Sequence, residues 1–211
     1  MNNEIFREYD IRGNVEKDLT DDVVLNIGRA FATYMRERGK NKASVGRDGR
    51  LSSPHFRDLI ITGMTEGGLE VIDLGLVPTP LFYFSLFHLD VEGGIMVTGS
   101  HNPPEMNGFK VAFEKSTLYG DKIQDLRRII EAKAFVSGKG SCSENTDLLS
   151  HYYAFLRTNI RIGKKFNVVI DAGNGAGGDG AERGARVVGI HPCLGNFRRP
   201  GRAAQPRLAI R

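Results

Sequence analysis

The chain has 211 residues, of which 40% are hydrophobic and 26% are charged, as is ordinary for a globular protein of one or two domains. No apolar run approaches the roughly 20 residues that span a bilayer, and the N-terminal segment lacks a signal-peptide pattern, so a cytoplasmic location without a membrane contact is expected. The net charge of +4 does not indicate nucleic-acid binding, because the excess comes from residues 179–211 and the rest of the chain is nearly neutral.

Helix-like and strand-like segments alternate along the first 135 residues, a pattern that is typical of an α/β fold. In chain order the predicted elements are a helix over 18–39, a strand from 43 into a loop that ends at 50, a helix over 52–68, a strand over 70–75, a helix over 79–89, strands over 93–99 and 108–113, and a helix over 119–133. We therefore predict a mixed sheet flanked by helices, with one complete domain over residues 1–135.

The composition changes after this domain. Residues 136–147 are polar and rich in glycine and serine, which indicates a linker. Residues 148–178 predict the start of a second α/β unit, with a helix and then a strand that enters a glycine-rich turn. Residues 179–211 hold seven arginines, no lysine and no sustained period, so we expect a basic tail that is foreign to the fold, either disordered or produced by a shifted reading frame.

The motif TGSHNPP lies at the end of the strand predicted over 93–99. Gly99 is expected to let a ligand approach the backbone, and the two prolines after Asn102 stiffen the loop. Ser100 is thereby presented at a strand end as a nucleophile or a phosphoryl carrier. His101 is its sequence neighbour, but adjacent side chains usually point apart, and a capped polar turn is the simpler interpretation of this pair.

Two further motifs and the strand after the serine loop supply cations. In FREYDIRG, Arg12 can present a planar fork to a phosphate, close to Tyr9 in sequence. In VGRDGRLSSP, Arg47 and Arg50 precede a helix N-terminus, which suits an anionic ligand, although an Arg–Asp surface pair is the simpler interpretation. In NGFKV, Lys110 lies on the next strand, from which it can return toward the serine across a hairpin.

These segments, together with VVIDAGNGAGG at residues 168–178, form four ordered motifs. In content and order they resemble the α-D-phosphohexomutases, the superfamily of phosphomannomutases and phosphoglucomutases. Four ordered motifs are much more specific than any one of them. The resemblance covers residues 4–178 and implies a phosphohexomutase domain I, which carries the phosphoserine loop, followed by an incomplete domain II.

The resemblance implies an enzyme, an isomerase that interconverts hexose 1-phosphates and hexose 6-phosphates. A phosphoserine gives its phosphoryl group to the hexose phosphate, a hexose 1,6-bisphosphate forms and reorients, and the other phosphoryl group returns to the serine. The catalytic residues that the resemblance implies are Ser100, Arg12, Lys110 and His101, and the substrate- and phosphate-binding residues are Arg47, Asn102 and Tyr9. The implied cofactors are Mg²⁺, held through the phosphate of Ser100, and the hexose 1,6-bisphosphate as activator and intermediate.

The sequence departs from the family at the metal site. The family holds Mg²⁺ with a DGDGDR-like aspartate loop, and GDGAER at residues 178–183 is similar to it only in passing. The third-domain loop that recognises the sugar and the fourth-domain loop that binds phosphate have no counterpart. We therefore expect little or no mutase turnover by this chain alone, and a non-catalytic sugar-phosphate-binding fragment is the alternative.

A second alternative comes from the glycine-rich turn. Gly173, Gly175 and Gly178 match G-x-G-x-x-G after a predicted strand, as in dinucleotide-binding oxidoreductases. That fingerprint also needs an acidic residue about 20 positions further on for the ribose, and none is present there. The dinucleotide-binding hypothesis is therefore the weaker one. Neither the preferred hexose nor the oligomeric state follows from these motifs.

Overall fold

A computed structural model of the protein describes residues 1–164, 168–170, 175–176 and 193–194. After a short 3-10 helix at Asn3–Ile5, the helices are α1 (Asp21–Arg36), α2 (Ser53–Glu66), α3 (Thr79–His88), α4 (Asp121–Ala132) and α5 (Leu148–Asn159). The strands of the main sheet are β1 (Ile11–Asn14), β2 (Lys42–Arg47), β3 (Glu70–Leu76), β4 (Gly93–Val97), β5 (Met106–Phe113), β6 (Ser116–Thr117) and β7 (Ser141–Glu144).

The main sheet is mixed, which confirms the predicted fold class. Its strands lie in the order β1-β5-β4-β2-β3-β7, and β6 is added beside β5. Strands β4, β2, β3 and β7 pair in parallel, whereas β5 runs antiparallel to β1, β4 and β6. The carboxyl ends of β2, β3 and β4 therefore meet at one edge, where loops in α/β folds build their sites.

Helices cover both faces of the sheet. Strand β4 shows the division, because Ile95 and Val97 pack with α1, α2 and α4 in one apolar cluster, whereas Met96 packs with α3 in the other. Successive side chains of a strand point to opposite faces, so the apolar run of β4 fills two cores at once. None of the described helices is long and apolar enough to cross a membrane.

Helices α1 and α2 approach each other closely because glycines lie where they cross. A Cβ atom placed on Gly63 would lie 2.4 Å from the carbonyl oxygen of Leu25, and one on Gly28 would lie 2.6 Å from the carbonyl oxygen of Ile60. Both distances are shorter than any real Cβ contact, so each glycine is required by the opposite backbone. This contact fixes α2, whose N-terminus lies at the carboxyl edge of the sheet.

The segment predicted to be a linker contains a strand. Ser141–Glu144, inside residues 136–147, form β7 and pair in parallel with β3 at an edge of the sheet. All four residues are exposed, so the strand carries no hydrophobic alternation that a sequence reading could detect. Short polar edge strands of this kind also protect a sheet from pairing with other chains.

The predicted second unit is described only in part. Strand β8 (Val169–Ile170) falls inside the strand predicted before the glycine-rich turn, and it pairs in parallel with β9 (Cys193–Leu194). Strand β9 lies within 179–211, and the prediction of a basic tail that is foreign to the fold stays a prediction. The remainder of that tail, and Gly173 and Gly178 of the proposed dinucleotide motif, lie outside the described residues.

Replacing Gly63 by alanine should destabilise the protein by about 1–3 kcal/mol, because the added methyl group collides with the backbone of α1. Alanine favours an isolated helix by about 1 kcal/mol over glycine, so a stabilising effect would show that the helices separate freely. Urea unfolding checks the change. The neighbouring exposed residue on α2 provides the control, since Thr62→Ala should change the free energy of unfolding by about 0.5 kcal/mol or less.

Candidate active site

The serine loop, residues 98–105, connects β4 to β5 at the carboxyl edge of the sheet. Two tight turns shape it, since the Asn102 N–H donates to the Gly99 carbonyl at 2.9 Å and the Met106 N–H donates to the Pro103 carbonyl at 3.0 Å. Ser100 is the second residue of the first turn and has a φ of +52°, a left-handed conformation that serine rarely adopts. Its neighbours must therefore hold it there against a local preference.

The structure brings the predicted nucleophile and its sequence neighbour together. Ser100 Oγ lies 3.2 Å from His101 Nδ1, and both residues are exposed. The expectation that adjacent side chains point apart is wrong here, because the left-handed backbone of Ser100 turns the two toward each other. At this distance an imidazole nitrogen can accept the hydroxyl proton, or donate one to an oxygen bound to the serine.

Asp48 ties the serine loop to the end of β2 and the start of α2. Its Oδ2 accepts hydrogen bonds from the Thr98 hydroxyl at 2.9 Å and the Gly99 N–H at 3.1 Å. Its Oδ1 accepts from the Ser53 hydroxyl at 2.6 Å and the Arg50 N–H at 3.0 Å. One carboxylate therefore binds four donors from three segments, and charge-assisted bonds of this kind are about twice as strong as neutral ones.

The Arg50 side chain reaches under the serine loop. Its guanidinium donates to four carbonyl oxygens, those of Pro103 at 2.7 Å, Met106 at 2.9 Å, Asn102 at 2.6 Å and Ser100 at 3.3 Å. The prediction that this arginine faces an anionic ligand is wrong, because the loop's own backbone uses its terminal N–H groups. The simpler interpretation of an Arg–Asp pair holds in part, since Arg50 Nε lies 3.4 Å from Asp48 Oδ2.

The absence of a side chain at Gly99 leaves room for the guanidinium of Arg50. A Cβ atom on Gly99 would lie 2.2 Å from Arg50 Nε and 2.3 Å from Cζ, so any larger residue would collide with the guanidinium. The sequence led us to expect that Gly99 lets a ligand approach the backbone, but the guanidinium of Arg50 fills the space that a side chain would take. The glycine is required so that a cation can pack against the underside of the loop.

Sequence reasoning missed Asn107, a fully buried polar residue of the site. Its Nδ2 donates to the hydroxyls of Ser52 at 2.8 Å and Ser53 at 3.0 Å, while its Oδ1 accepts the Gly108 N–H at 2.8 Å. Asn107 thus joins the first residues of β5 to the N-terminus of α2. No local sequence pattern indicates this role, because the two serines lie more than 50 residues away in sequence.

Arg12 and Lys110 lie on one face of the sheet. Arg12 is opposite Gly108 in the β1–β5 pair, and Lys110 follows two residues later on β5, opposite Met96. The two residues are therefore diagonal neighbours across the strand pair, which lie about 7–8 Å apart in sheets and within reach of long side chains. Arg12 Nε lies 3.2 Å from Asp10 Oδ1, whereas Lys110 has no hydrogen-bond or ion-pair partner among the described residues.

Arg47 lies on the opposite face of the sheet from those two cations. It is the last residue of β2, in register with Val97, which packs with α2. Burial, and next the positive charge of Arg57, lower the pKa of Arg47, while its Nη1 donates to the Asp48 carbonyl at 3.2 Å. The structure does not bring Arg47 together with Arg12, and a role for it in phosphate binding stays a prediction.

Of the two remaining predicted residues, Asn102 lies in the serine loop and Tyr9 does not. Tyr9 is 70% exposed in a turn that the Arg7 N–H closes by donating to the Asp10 carbonyl at 2.9 Å, and no hydrogen bond or ring contact joins its side chain to the serine loop among the described residues. Asn102 lies in the loop, but its backbone rather than its side chain makes the contacts to Gly99 and Arg50.

The described residues do not by themselves form the expected Mg²⁺ site. Within them, no three histidine, cysteine, aspartate or glutamate side chains converge where a metal ion could bind. Mg²⁺ takes six oxygen ligands, usually including one or two carboxylates beside phosphate oxygens and water. The carboxylate under the serine loop belongs to Asp48, and its two oxygens already accept four hydrogen bonds. Asp48 is therefore a poor ligand for Mg²⁺ in this arrangement.

Comparisons with known proteins agree on one family. A family profile described as "Phosphoglucomutase/phosphomannomutase, alpha/beta/alpha domain I" matches residues 3–137. The chain is 43% identical over 177 residues to the Neisseria gonorrhoeae protein named "Phosphoglucomutase" and 44% identical over 174 residues to the Pseudomonas aeruginosa "Phosphomannomutase/phosphoglucomutase". The two alignments cover 83% and 82% of this chain but only 38% and 37% of those relatives.

A solved structure gives the same result for the fold. The crystal structure of a phosphoglucomutase/phosphomannomutase family protein from Burkholderia thailandensis superposes with a TM-score of 0.84 at 38% identity. The superposition covers 90% of this chain and 43% of that one. The chain thus spans about two fifths of the length of the relatives that it matches.

Asp48→Asn should destabilise the protein by about 1–3 kcal/mol, because the amide offers one acceptor oxygen where four donors now share two. Urea unfolding of the two proteins measures this difference. Asp58→Asn is the control, since that carboxylate is mostly exposed and pairs only at the surface with Arg57, so its effect should be about 0.5 kcal/mol or less. Equal effects of the two substitutions would show that the loop does not depend on Asp48.

Proposed function

Because the chain belongs to the phosphoglucomutase/phosphomannomutase family, we propose that it carries the phosphoryl-transferring serine of a phosphohexomutase. The reaction interconverts hexose 1-phosphates and hexose 6-phosphates through a hexose 1,6-bisphosphate. The observation that supports this function best is the position of Ser100, whose exposed Oγ lies 3.2 Å from His101 Nδ1 on a loop held from beneath. A capped surface turn would not need the buried network under it.

The proposed step loads the serine. Ser100 Oγ attacks a phosphorus atom of the hexose 1,6-bisphosphate and gives its proton to His101 Nδ1. The bond between that phosphorus and the sugar oxygen breaks, and the sugar oxygen leaves as a hydroxyl by taking a proton from solvent, to which His101 in turn releases the proton from the serine. The reverse step, in which a hexose phosphate hydroxyl attacks the phosphoserine, regenerates the bisphosphate and the free serine.

Arg12 and Lys110 are proposed to stabilise the phosphoryl group in transit. Phosphoryl transfer depends mostly on positioning and on neutralising the charge of the transferring group. The two side chains share one face of the sheet, and Lys110 has no partner among the described residues that would compete for its charge. Mg²⁺ would supply further positive charge. The described residues contain no group of three acidic, histidine or cysteine side chains that could hold it.

A second candidate function is the binding of a hexose phosphate without turnover. The shared position of Arg12 and Lys110 on one face of the sheet favours it, because two cations can hold a phosphate group without transferring it. Calorimetry with a hexose 6-phosphate, run beside a coupled assay for conversion of hexose 1-phosphate, separates the two functions. Binding without phosphoryl transfer to Ser100 would support the second candidate and contradict the first.

The full chain, incubated with glucose 1,6-bisphosphate, should gain one phosphoryl group on Ser100, and Ser100→Ala should gain none. Intact-protein mass spectrometry followed by peptide mapping measures both results. Ser116→Ala is the control, because that serine is exposed in β6 outside the serine loop, and this variant should be phosphorylated like the unmodified chain. Phosphorylation that persists in Ser100→Ala, or a folded unmodified chain that gains no phosphoryl group, would contradict the proposal.

A further inference from the structure

We propose that Arg50 is a positioning residue for Ser100. Its guanidinium holds the serine loop in the conformation that presents the Ser100 hydroxyl and the His101 backbone N–H to a phosphoryl group. The predicted effect on phosphoryl transfer rests on the proposed function. The conformation of the loop can be measured by hydrogen exchange without any phosphoryl transfer, so the role of Arg50 and the proposed function can be tested separately.

The loop has more backbone acceptors than donors. Pro103 and Pro104 carry no N–H, and the Asn102 carbonyl has Arg50, at 2.6 Å, as its one donor among the described residues. The Pro103 carbonyl accepts the Met106 N–H at 3.0 Å and a second hydrogen bond from Arg50 at 2.7 Å. The two consecutive prolines that stiffen the loop therefore create a need for outside donors, and the arginine from the β2–α2 connection meets it.

The geometry matches the donors of arginine closely. Its two terminal nitrogens carry four N–H groups in a plane, and four carbonyls accept from those nitrogens, while Nε faces the carboxylate of Asp48. The side chain is only 17% exposed. Lysine has a single nitrogen with three donors and cannot reproduce this fork, so a charge-preserving replacement loses the contacts.

The contact between Arg50 and the Ser100 carbonyl also orients the next peptide. A peptide bond is planar and trans, and the described chain has no cis peptide, so the His101 N–H points away from the carbonyl that faces Arg50. This N–H has no hydrogen-bond partner among the described residues. It is thus left free for an oxygen of a phosphoryl group on Ser100, in the manner of other backbone donors that stabilise developing charge.

The experiment compares Arg50→Lys with the unmodified full chain, using glucose 1,6-bisphosphate as phosphoryl donor. The maximum rate of Ser100 phosphorylation should fall about tenfold or more, because small misplacements of a reacting group cost about that much. The half-saturating concentration of the bisphosphate should stay within about twofold, since Arg50 contacts the loop backbone rather than the sugar. Arg29→Lys is the control, because it changes an ion pair with Glu66 on α2 and should leave both values unchanged.

Two further measurements separate positioning from simple loss of stability. Millimolar guanidinium should restore part of the phosphorylation rate of Arg50→Ala and none of that of Ser100→Ala. Hydrogen exchange of residues 98–107 should accelerate in Arg50→Lys while that of α1 and α4 is unchanged. If Arg50→Lys fails to fold, Gly99→Ala provides the same test, because its methyl group displaces the guanidinium and keeps the charge.

Two results with Arg50→Lys would overturn the positioning role of Arg50. Arg50→Lys with an unchanged rate and unchanged hydrogen exchange would show that the loop holds itself. A raised half-saturating concentration with an unchanged maximum rate would show that Arg50 binds the ligand instead. If the unmodified chain accepts no phosphoryl group, the proposed function fails, and the exchange of residues 98–107 alone then confirms or overturns the role of Arg50.

Discussion

The ion pair of Asp48 and Arg50 beneath the serine loop is the interaction on which the rest of the site depends. Asp48 binds donors from the loop and from α2, and Arg50 binds four carbonyls of the loop. Each hydrogen bond to a charged group is worth about 1.5–3 kcal/mol, enough to hold Ser100 in a left-handed backbone conformation. The strain in one residue is thus offset by a network that belongs to its surroundings.

The sheet divides the charged groups of this edge into two sets. Arg12 and Lys110 lie on the face that α3 covers, whereas Arg47 lies on the face of α2, where burial and then the positive charge of Arg57 lower its pKa. The first set suits a phosphoryl group, because Lys110 has no competing partner among the described residues. The register of β5, which carries Lys110 between two neighbouring strands, fixes this arrangement.

Much of the fold follows from sequence patterns, and most of the site's support does not. Helical spacing of apolar residues predicts α1 and α4, and the buried run of β4 is clear because both of its faces are apolar. Strand β7 has four exposed residues and so leaves no pattern. The serine loop is recognisable from its glycine and prolines, but Arg50 and Asn107 act through contacts more than 50 residues away in sequence, which no local period encodes.

A preorganised Ser100 is proposed to accept a phosphoryl group from a hexose bisphosphate. Phosphorus-31 NMR of the full chain with glucose 1,6-bisphosphate tests this transfer most directly, because a phosphoserine and a sugar phosphate have separate resonances that are observed without any coupled enzyme. We expect one protein-bound phosphoserine resonance, with matching loss of bisphosphate and appearance of hexose monophosphate. A folded chain whose spectrum shows only unchanged bisphosphate would contradict it.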